Sequence, residues 1–351
     1  MSIQAVVLGG AGYVGGELLR LLHAHPVFQL AAAVSTTYAN KPVADVFPHL
    51  SHAYRDTDFV SPDDWSNGIP TGSDVALFSA APHGASASAI ASALQTAASK
   101  ELNVHVVDSS ADFRYEDAAQ FARVYGIEHP VPELLETFIC GVPEHIDADN
   151  ATHAGHPGCF ATAALLAAVP LVRSGATAGD LFLSGITGST GSGRSAKPGT
   201  HHPERHSNLY AYKPLSHRHA PEIENLISKS CGGTTKVHFV PHSGPFARGI
   251  HMTLQARLES PVSADELRRE FTAFYADSPF VSIVAGTPRL KDVVAANFSH
   301  IGIAVDDGAV TVMCVIDNLV KGAAGGAMQW MNRLWSLPEE SGLLNSAPAW
   351  T

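Results

Sequence analysis

Pro157-Gly158-Cys159-Phe160-Ala161-Thr162 sets a cysteine directly after two residues that cannot continue a helix. It stands directly before a run of small and apolar residues, reaching Leu166, that forms one readily. The pattern predicts a helix that begins almost at Cys159. A sulfur in that place meets the first unpaired N–H groups and the positive end of the helix, which favour thiolate over thiol and can hold a developing oxyanion. Nucleophilic attack is the chemistry such a setting serves. For Cys159 taken alone, a small buried side chain under a turn is the plainer alternative. Cys140, Cys231 and Cys314 have no comparable helix-start setting and read as structural. The cysteines lie far apart without a Cys-x-x-Cys pair, so they read as reduced thiols rather than a zinc or redox site.

Three other clusters carry polar chemistry. In the first, Tyr212-Lys213-Pro214-Leu215-Ser216-His217-Arg218-His219 leads to Pro221-Glu222. A histidine near a thiol in space moves the protons of thiol–acyl chemistry, and an acid can orient it; a solvated loop histidine is the alternative. In the second, Gly188 to Arg194 is a Gly/Ser loop followed by Lys197, containing Ser189, Gly191 and Gly193. Its amides, hydroxyls and arginine suit a phosphate oxyanion; a flexible surface linker is the alternative. In the third, Pro241 to Gly249 brings Arg248 between two strand-like runs. The 19 histidines show no HExxH spacing, and no metal site is expected.

These groups need a scaffold, and the N-terminal third supplies a dinucleotide fold. Ile3 to Leu8 is a buried-strand run that ends in Gly9-Gly10-Ala11-Gly12-Tyr13-Val14-Gly15, and a helix with an apolar face follows over Glu17 to His23. Glycines at this spacing between strand and helix allow the tight turn, the close approach of backbone to a pyrophosphate and the close helix packing of that site. The strand Gln29 to Val34 ends in Ser35-Thr36-Thr37 rather than an acid, with Lys41 nearby, which favours NADP over NAD. Runs at Asp74 to Ala80 and Val104 to Asp108 end in Pro82-His83-Gly84 and in Ser109-Ser110-Ala111-Asp112-Phe113-Arg114. Strand–helix repetition predicts a mostly parallel sheet with ligands at the carboxyl ends of its strands.

Beyond Cys159 the pattern changes to α+β. Val237 to Val240 and Ile250 to Leu258 read as antiparallel strands, Ser263 opens a capped helix, and Ile301 to Val305 and Ala309 to Val315 read as a hairpin around Asp306-Asp307-Gly308. Asp317-Asn318-Leu319-Val320-Lys321-Gly322 then enters a helix whose small residues permit close approach to a cofactor, with close packing alone as the alternative. A formal charge of -11 argues against a nucleic-acid surface and gives no support for an acidic membrane face, leaving room for one local basic pocket. The N-terminus lacks a basic leader and no apolar run is long enough to span a bilayer, so a cytoplasmic protein acting on a small molecule is expected.

Gly9 to Gly15, Ser110 to Arg114, Pro157 to Thr162, His217-Arg218-His219-x-Pro221-Glu222-Ile223, Arg248-Gly249 and Asp317 to Gly322, in this order, resemble the N-acetyl-gamma-glutamyl-phosphate reductase family of the aspartate-semialdehyde-dehydrogenase-like group. Ser192 stands where a small apolar residue is usual, and Thr200 to Arg205 looks more like the sister enzyme of lysine biosynthesis, which reduces an aminoadipyl phosphate on an acidic carrier protein. The resemblance implies a Rossmann-type α/β NADP-binding domain, residues 1–158 plus 317–351, with an inserted α+β domain, residues 159–316, for substrate, catalysis and oligomerisation, and a homotetramer or homodimer formed through the latter. It implies NADPH-dependent reduction of an acyl phosphate through a Cys159 thioester, with His217 or else His219 as acid/base. Cofactor contacts are expected from Gly9, Gly10, Ala11, Gly12, Tyr13, Val14, Gly15, Ser35, Thr36, Pro82, His83, Gly84, Ser189, Gly191, Asn318 and Lys321. Substrate contacts are expected from Ser110, Arg114, Gly193, Arg194, Lys213 and Arg248. The negative charge favours the free acetylated glutamyl phosphate over a carrier-linked one. A dinucleotide-binding regulator without chemistry and a cysteine hydrolase are the alternatives from other classes.

Overall fold

The computed structural model describes residues 2–148 and 151–348. In chain order the first elements are β1 (Ile3–Leu8), α1 (Tyr13–His23), β2 (Phe28–Val34), α2 (Val43–Val46), β3 (Phe59–Val60), β4 (Asp74–Ser79), α3 (Ser86–Ser99), β5 (Asn103–Asp108), α4 (Ala118–Tyr125), β6 (Phe138–Cys140) and β7 (His153–Gly155). Then come α5 (Cys159–Arg173), β8 (Leu181–Thr187), α6 (His202–Arg205), β9 (Tyr210–Ala211), α7 (His219–Cys231), β10 (Val237–Ser243), β11 (Ile250–Arg257), α8 (Ala264–Phe274), β12 (Val281–Ile283), β13 (Ser299–Asp306), β14 (Ala309–Ile316) and α9 (Gly325–Leu334). The chain forms two compact units: Met1–Cys140, Ala148–His156 and Ala323–Leu344 in one, and Gly141–Asp147, Pro157–Gly322 and the residues from Asn345 in the other.

The first unit is a seven-stranded sheet in the order β3-β2-β1-β4-β5-β7-β6, parallel throughout. Its inner strands read as continuous apolar runs because both faces are covered. Val6, Leu8, Val34, Leu77 and Val106 form one core with Ile90 of α3, and α9 packs on β5 and α1.

The second unit has a mixed sheet in the order β12-β13-β14-β11-β8-β10-β9. β10 and β11, expected as antiparallel strands, run in opposite directions but are not neighbours. β8 lies between them, parallel to β10 and antiparallel to β11. The Gly244 to Gly249 connection is long enough to step over one strand, a choice that strand patterning cannot express. The hairpin β13–β14 turns at Asp307 (φ 40) and Gly308 (φ 76), the left-handed pair that a two-residue turn requires. Ser263 and Glu266 form a reciprocal capping box at the start of α8.

The boundary of the second unit lies outside 159–316. Lys321 is fully buried in an ion pair with Glu144, which ties Gly141–Asp147 to the segment after β14. Asp317 is clamped by Arg248. Ion pairs this far apart in sequence belong to tertiary packing and leave no local trace.

Candidate functional site

In the first unit, the turn after β1 is built for a backbone approach. Gly9 has φ +69, and a Cβ there would stand 2.7 Å from the carbonyl carbon of Ala80; at Gly15 a Cβ would stand 2.5 Å from the Gly10 oxygen. Gly12 is the N-cap of α1 and has no side-chain cap, so Ala11, Gly12, Tyr13 and Val14 lead main-chain N–H groups out of the sheet at the positive end of that helix. A dinucleotide pyrophosphate fits such a cradle. Ser35 is buried and its Oγ accepts from Tyr38 N (3.1 Å), while Thr36, Thr37 and Lys41 are exposed beside it. The end of β2 therefore offers hydroxyls and one cation, and no acid, to a ribose 2′-substituent.

The loops after β4 and β5 are braced together. Asp112 accepts from Gly84 N (2.8 Å) through one carboxylate oxygen and from Ala87 N (3.0 Å) through the other, capping α3, which has no cap of its own. His83 Nδ1 accepts from Ala111 N, and Gly84 has φ +81, so Pro82-His83-Gly84 is a fixed turn. Asp108 is fully buried and accepts from the Ser86 and Ser110 hydroxyls; burial raises its carboxyl to about 6 against the opposing pull of those bonds. Ser110 and Arg114, expected on substrate, both make hydrogen bonds within this unit. Ser110 is spent on Asp108, and Arg114, 3% exposed, donates to the carbonyls of His156 and Ser109. A buried guanidinium satisfies its donors where it can, here on carbonyls just past the ends of β5 and β7.

In the second unit, α5 begins at Cys159 with Gly158 as its extended N-cap. Gly158 N donates to Glu222 Oε1 (2.7 Å), and Thr162 Oγ1 donates to Gly158 O, so the turn before the cysteine is held from both sides. Gly322 passes so close that a Cβ there would stand 2.8 Å from Cys159 Cβ. The Phe160 ring packs against His217, His219 and Phe239. The histidines thus reach the start of α5. His217 Nδ1 accepts from His219 N (3.2 Å), which assigns the ring proton to Nε2 in the neutral form. Burial first, and the nearby Arg218 and Lys213 cations after it, lower His217 to about 4. At neutral pH it is an uncharged N–H donor, suited to polarising a carbonyl and returning a proton to an oxyanion. Glu222, three residues after His219 and fully buried, is the residue whose role the sequence reading missed; the i, i+3 spacing on α7 was the available signal.

The remaining expected residues divide. Asn318 Oδ1 accepts from Gly249 N (2.6 Å) and its amide donates to Thr190 Oγ1 (3.1 Å), so it staples the loop holding Ser189, Gly191 and Gly193 to the Arg248 loop. Lys321 is committed to Glu144 and offers no charge to a cofactor. Arg248 grips Asp317 through Nε (3.0 Å) and Nη2 (3.1 Å). Lys213, at φ 45, and Arg194 remain exposed. Among the described residues no group of three or more His, Cys, Asp or Glu is placed to hold a metal, and no helix is long and apolar enough to cross a membrane.

This pairing of a glycine-cradle domain with a cysteine-bearing α+β domain defines a class: dinucleotide-dependent oxidoreductases of semialdehydes. A family model described as semialdehyde dehydrogenase, NAD binding domain, matches residues 4–153, and one described as semialdehyde dehydrogenase, dimerisation domain, matches residues 159–318. Solved structures of aspartate semialdehyde dehydrogenase share the fold: the Vibrio cholerae enzyme II complexed with ASA (TM-score 0.69, 14% identity, 96% of this chain and 99% of that one) and the Candida albicans enzyme with NADP (TM-score 0.67, 14%, 96% and 99%). Among curated proteins, N-acetyl-gamma-glutamyl-phosphate reductase of Methanopyrus kandleri is 39% identical over 96% of both chains. The proteins of that name from Acidithiobacillus ferrooxidans and Pseudomonas aeruginosa are each 40% identical over 98% of this chain and 99% of theirs. The chain belongs to the N-acetyl-gamma-glutamyl-phosphate reductase family.

Proposed function

We propose that this protein reduces N-acetyl-gamma-glutamyl phosphate to the 5-semialdehyde with release of phosphate, in arginine biosynthesis. The observation that carries the reading is Cys159 at the first residue of α5 with the ring of its neighbour Phe160 against His217 and His219, in a chain whose full-length relatives bear that activity in their names. The Cys159 thiolate attacks the acyl carbon, the carbonyl oxygen takes the charge at the start of α5, and the C–O bond to phosphate breaks to leave a thioester. The glycine cradle, with Thr36 and Lys41 at the end of β2, would hold NADPH, which would supply a hydride for the thioester carbon; the C–S bond then breaks, releasing the semialdehyde and returning the Cys159 thiolate. His217 Nε2–H donates to the carbonyl oxygen in both stages, and Glu222 holds the turn that aims the sulfur. Ser189, Gly191, Gly193 and Arg194 are the candidates for phosphate, with Lys213 as a second cation near His217.

The same reading makes the protein a cytoplasmic homodimer or homotetramer, assembled through the second unit. Helices α5, α7 and α8 pack on one face of its sheet, whereas Phe182 is 54% exposed on the other, and the matching family model is a dimerisation domain. All four cysteines are free thiols, as a reducing compartment requires.

The test is phosphate-dependent reduction of NADP by N-acetyl-glutamate 5-semialdehyde, followed by absorbance. Turnover by the wild type and loss of about 1,000-fold or more in Cys159→Ser is expected. Turnover only with the carrier-linked aminoadipyl semialdehyde would overturn the substrate, and turnover by Cys159→Ser would overturn the mechanism.

A further inference from the structure

Arg205 closes the short helix α6, and the residue is 8% exposed. Its Nη1 donates to the carbonyls of Asn208 (3.2 Å) and Ser243 (3.3 Å). Its Nε and Nη2 are shielded from solvent and have no hydrogen-bond partner among the described residues. A buried cation without a counter-charge is strongly unfavourable. The half-buried Arg248 spends the same edge, Nε with Nη2, on the carboxylate of Asp317. That edge matches a carboxylate or a phosphoryl group in two parallel bonds.

Its place in the fold brings it to the start of α5. Ser243 ends β10 opposite Thr187, which ends β8. Gly185, two residues earlier and so about 7 Å away on the same face, is packed so tightly by Phe160 that a Cβ would stand 2.6 Å from its ring. Phe160 follows Cys159. From Gly191 to Glu204 the chain leading to Arg205 is exposed along nearly its whole length, so it can part to admit a ligand.

We infer that Arg205 is a specificity-determining residue that grips an oxyanion of the substrate through Nε and Nη2. The inference rests on the acyl-phosphate reading above, under which the substrate offers two such groups, its carboxylate and its phosphoryl group.

The experiment uses the full-length enzyme in the semialdehyde-to-acyl-phosphate direction, with Arg205→Gln and Arg205→Lys beside the wild type. Semialdehyde and phosphate are varied separately, and 4-acetamidobutanal, which lacks the carboxylate, serves as a second aldehyde. If the carboxylate is held, Arg205→Gln raises KM for the semialdehyde about 10- to 100-fold with kcat within a few-fold. Arg205→Lys lies between, and the wild-type preference over 4-acetamidobutanal shrinks by the same factor. If the phosphoryl group is held, KM for phosphate rises instead. Wild-type turnover with both KM values unchanged in the variants, or a fall in melting temperature without a KM change, would overturn the role of Arg205. A wild type inert toward the acetylated semialdehyde would instead overturn the substrate assignment. Arg205→Lys keeps the charge and secures the comparison if the glutamine variant does not fold.

Discussion

At the end of β1 the binding surface is main chain: Gly9 and Gly15 stand where any Cβ would collide with backbone, and the N-cap Gly12 leaves α1 without a side-chain cap. At the start of α5 the surface is side chain: Cys159, His217 and Glu222 act as individuals, each held by a hydrogen bond or a packed ring from another element. The first arrangement tolerates no added atom, since the clash is with fixed backbone. The second tolerates changes of chemistry that keep shape. A dinucleotide is recognised by the dipoles of a turn, whereas an acyl transfer needs a nucleophile and a proton donor of set character.

The sharpest way to break this contrast is Gly15→Ala. The methyl would sit 2.5 Å from Gly10 O, so the turn must open. NADPH affinity measured by fluorescence titration should fall at least 100-fold, with a stability loss of roughly 2 kcal/mol from the forced shift. An alanine that binds NADPH normally would show that the cradle is not the site. In the second unit, Glu222→Leu should lower kcat about 10-fold while leaving NADPH affinity intact, because it frees Gly158 N without touching the cradle. Glu222→Gln keeps an oxygen acceptor for that N–H and should recover most of the rate; equal losses in both would mean that the charge, not the positioning, matters.

Stability against pH probes buried groups in both units. His153 in the first unit and His145 and His217 in the second have folded values lowered by burial to about 4, against the ordinary 6.5. The unfolded chain therefore binds these protons first, and the stability present above pH 6.5 is lost as pH falls toward 4. Asp108, raised by burial to about 6, acts oppositely: its contribution is present below its ordinary 3.8 and is lost as pH rises through 6. The histidines outnumber it, so the melting temperature should drop between pH 7 and pH 4.5, and His153→Gln should flatten that slope. A flat profile in the wild type would contradict the burial of these rings. The smallest effect is expected far from either surface. Ser263→Ala removes the cap of α8 and should cost about 1 kcal/mol in denaturant melts, with kcat and KM unchanged.

Much of the first unit was legible because its determinants are local. Gly9 to Gly15 must sit between a strand and a helix whatever surrounds them, and the acid-free end at Ser35-Thr36 is a property of residues adjacent in the chain. The start of α5 at Cys159 is equally local, following from Pro157-Gly158 and the helix formers after it. What neighbouring residues do not reveal is a partner brought up by packing. Arg114, expected on substrate, donates to the carbonyl of His156. Lys321 looked like a cofactor contact, yet Glu144 neutralises it.

By itself the sequence determined the glycine cradle, the cysteine at a helix start, the polar loops and the order in which they occur, since turn geometry and helix initiation depend on neighbours a few residues apart. Only the tertiary structure decided that β8 separates β10 from β11, that Glu222 holds the turn before Cys159, and that Asp317 rather than a substrate faces Arg248. It also left Arg205 buried with one edge unanswered. The physical reason is common to the first three: a charge or an open strand edge takes whichever counterpart the packing brings within about 3 Å, and that choice has no signature in the residues beside it; for Arg205 the packing brings none to that edge.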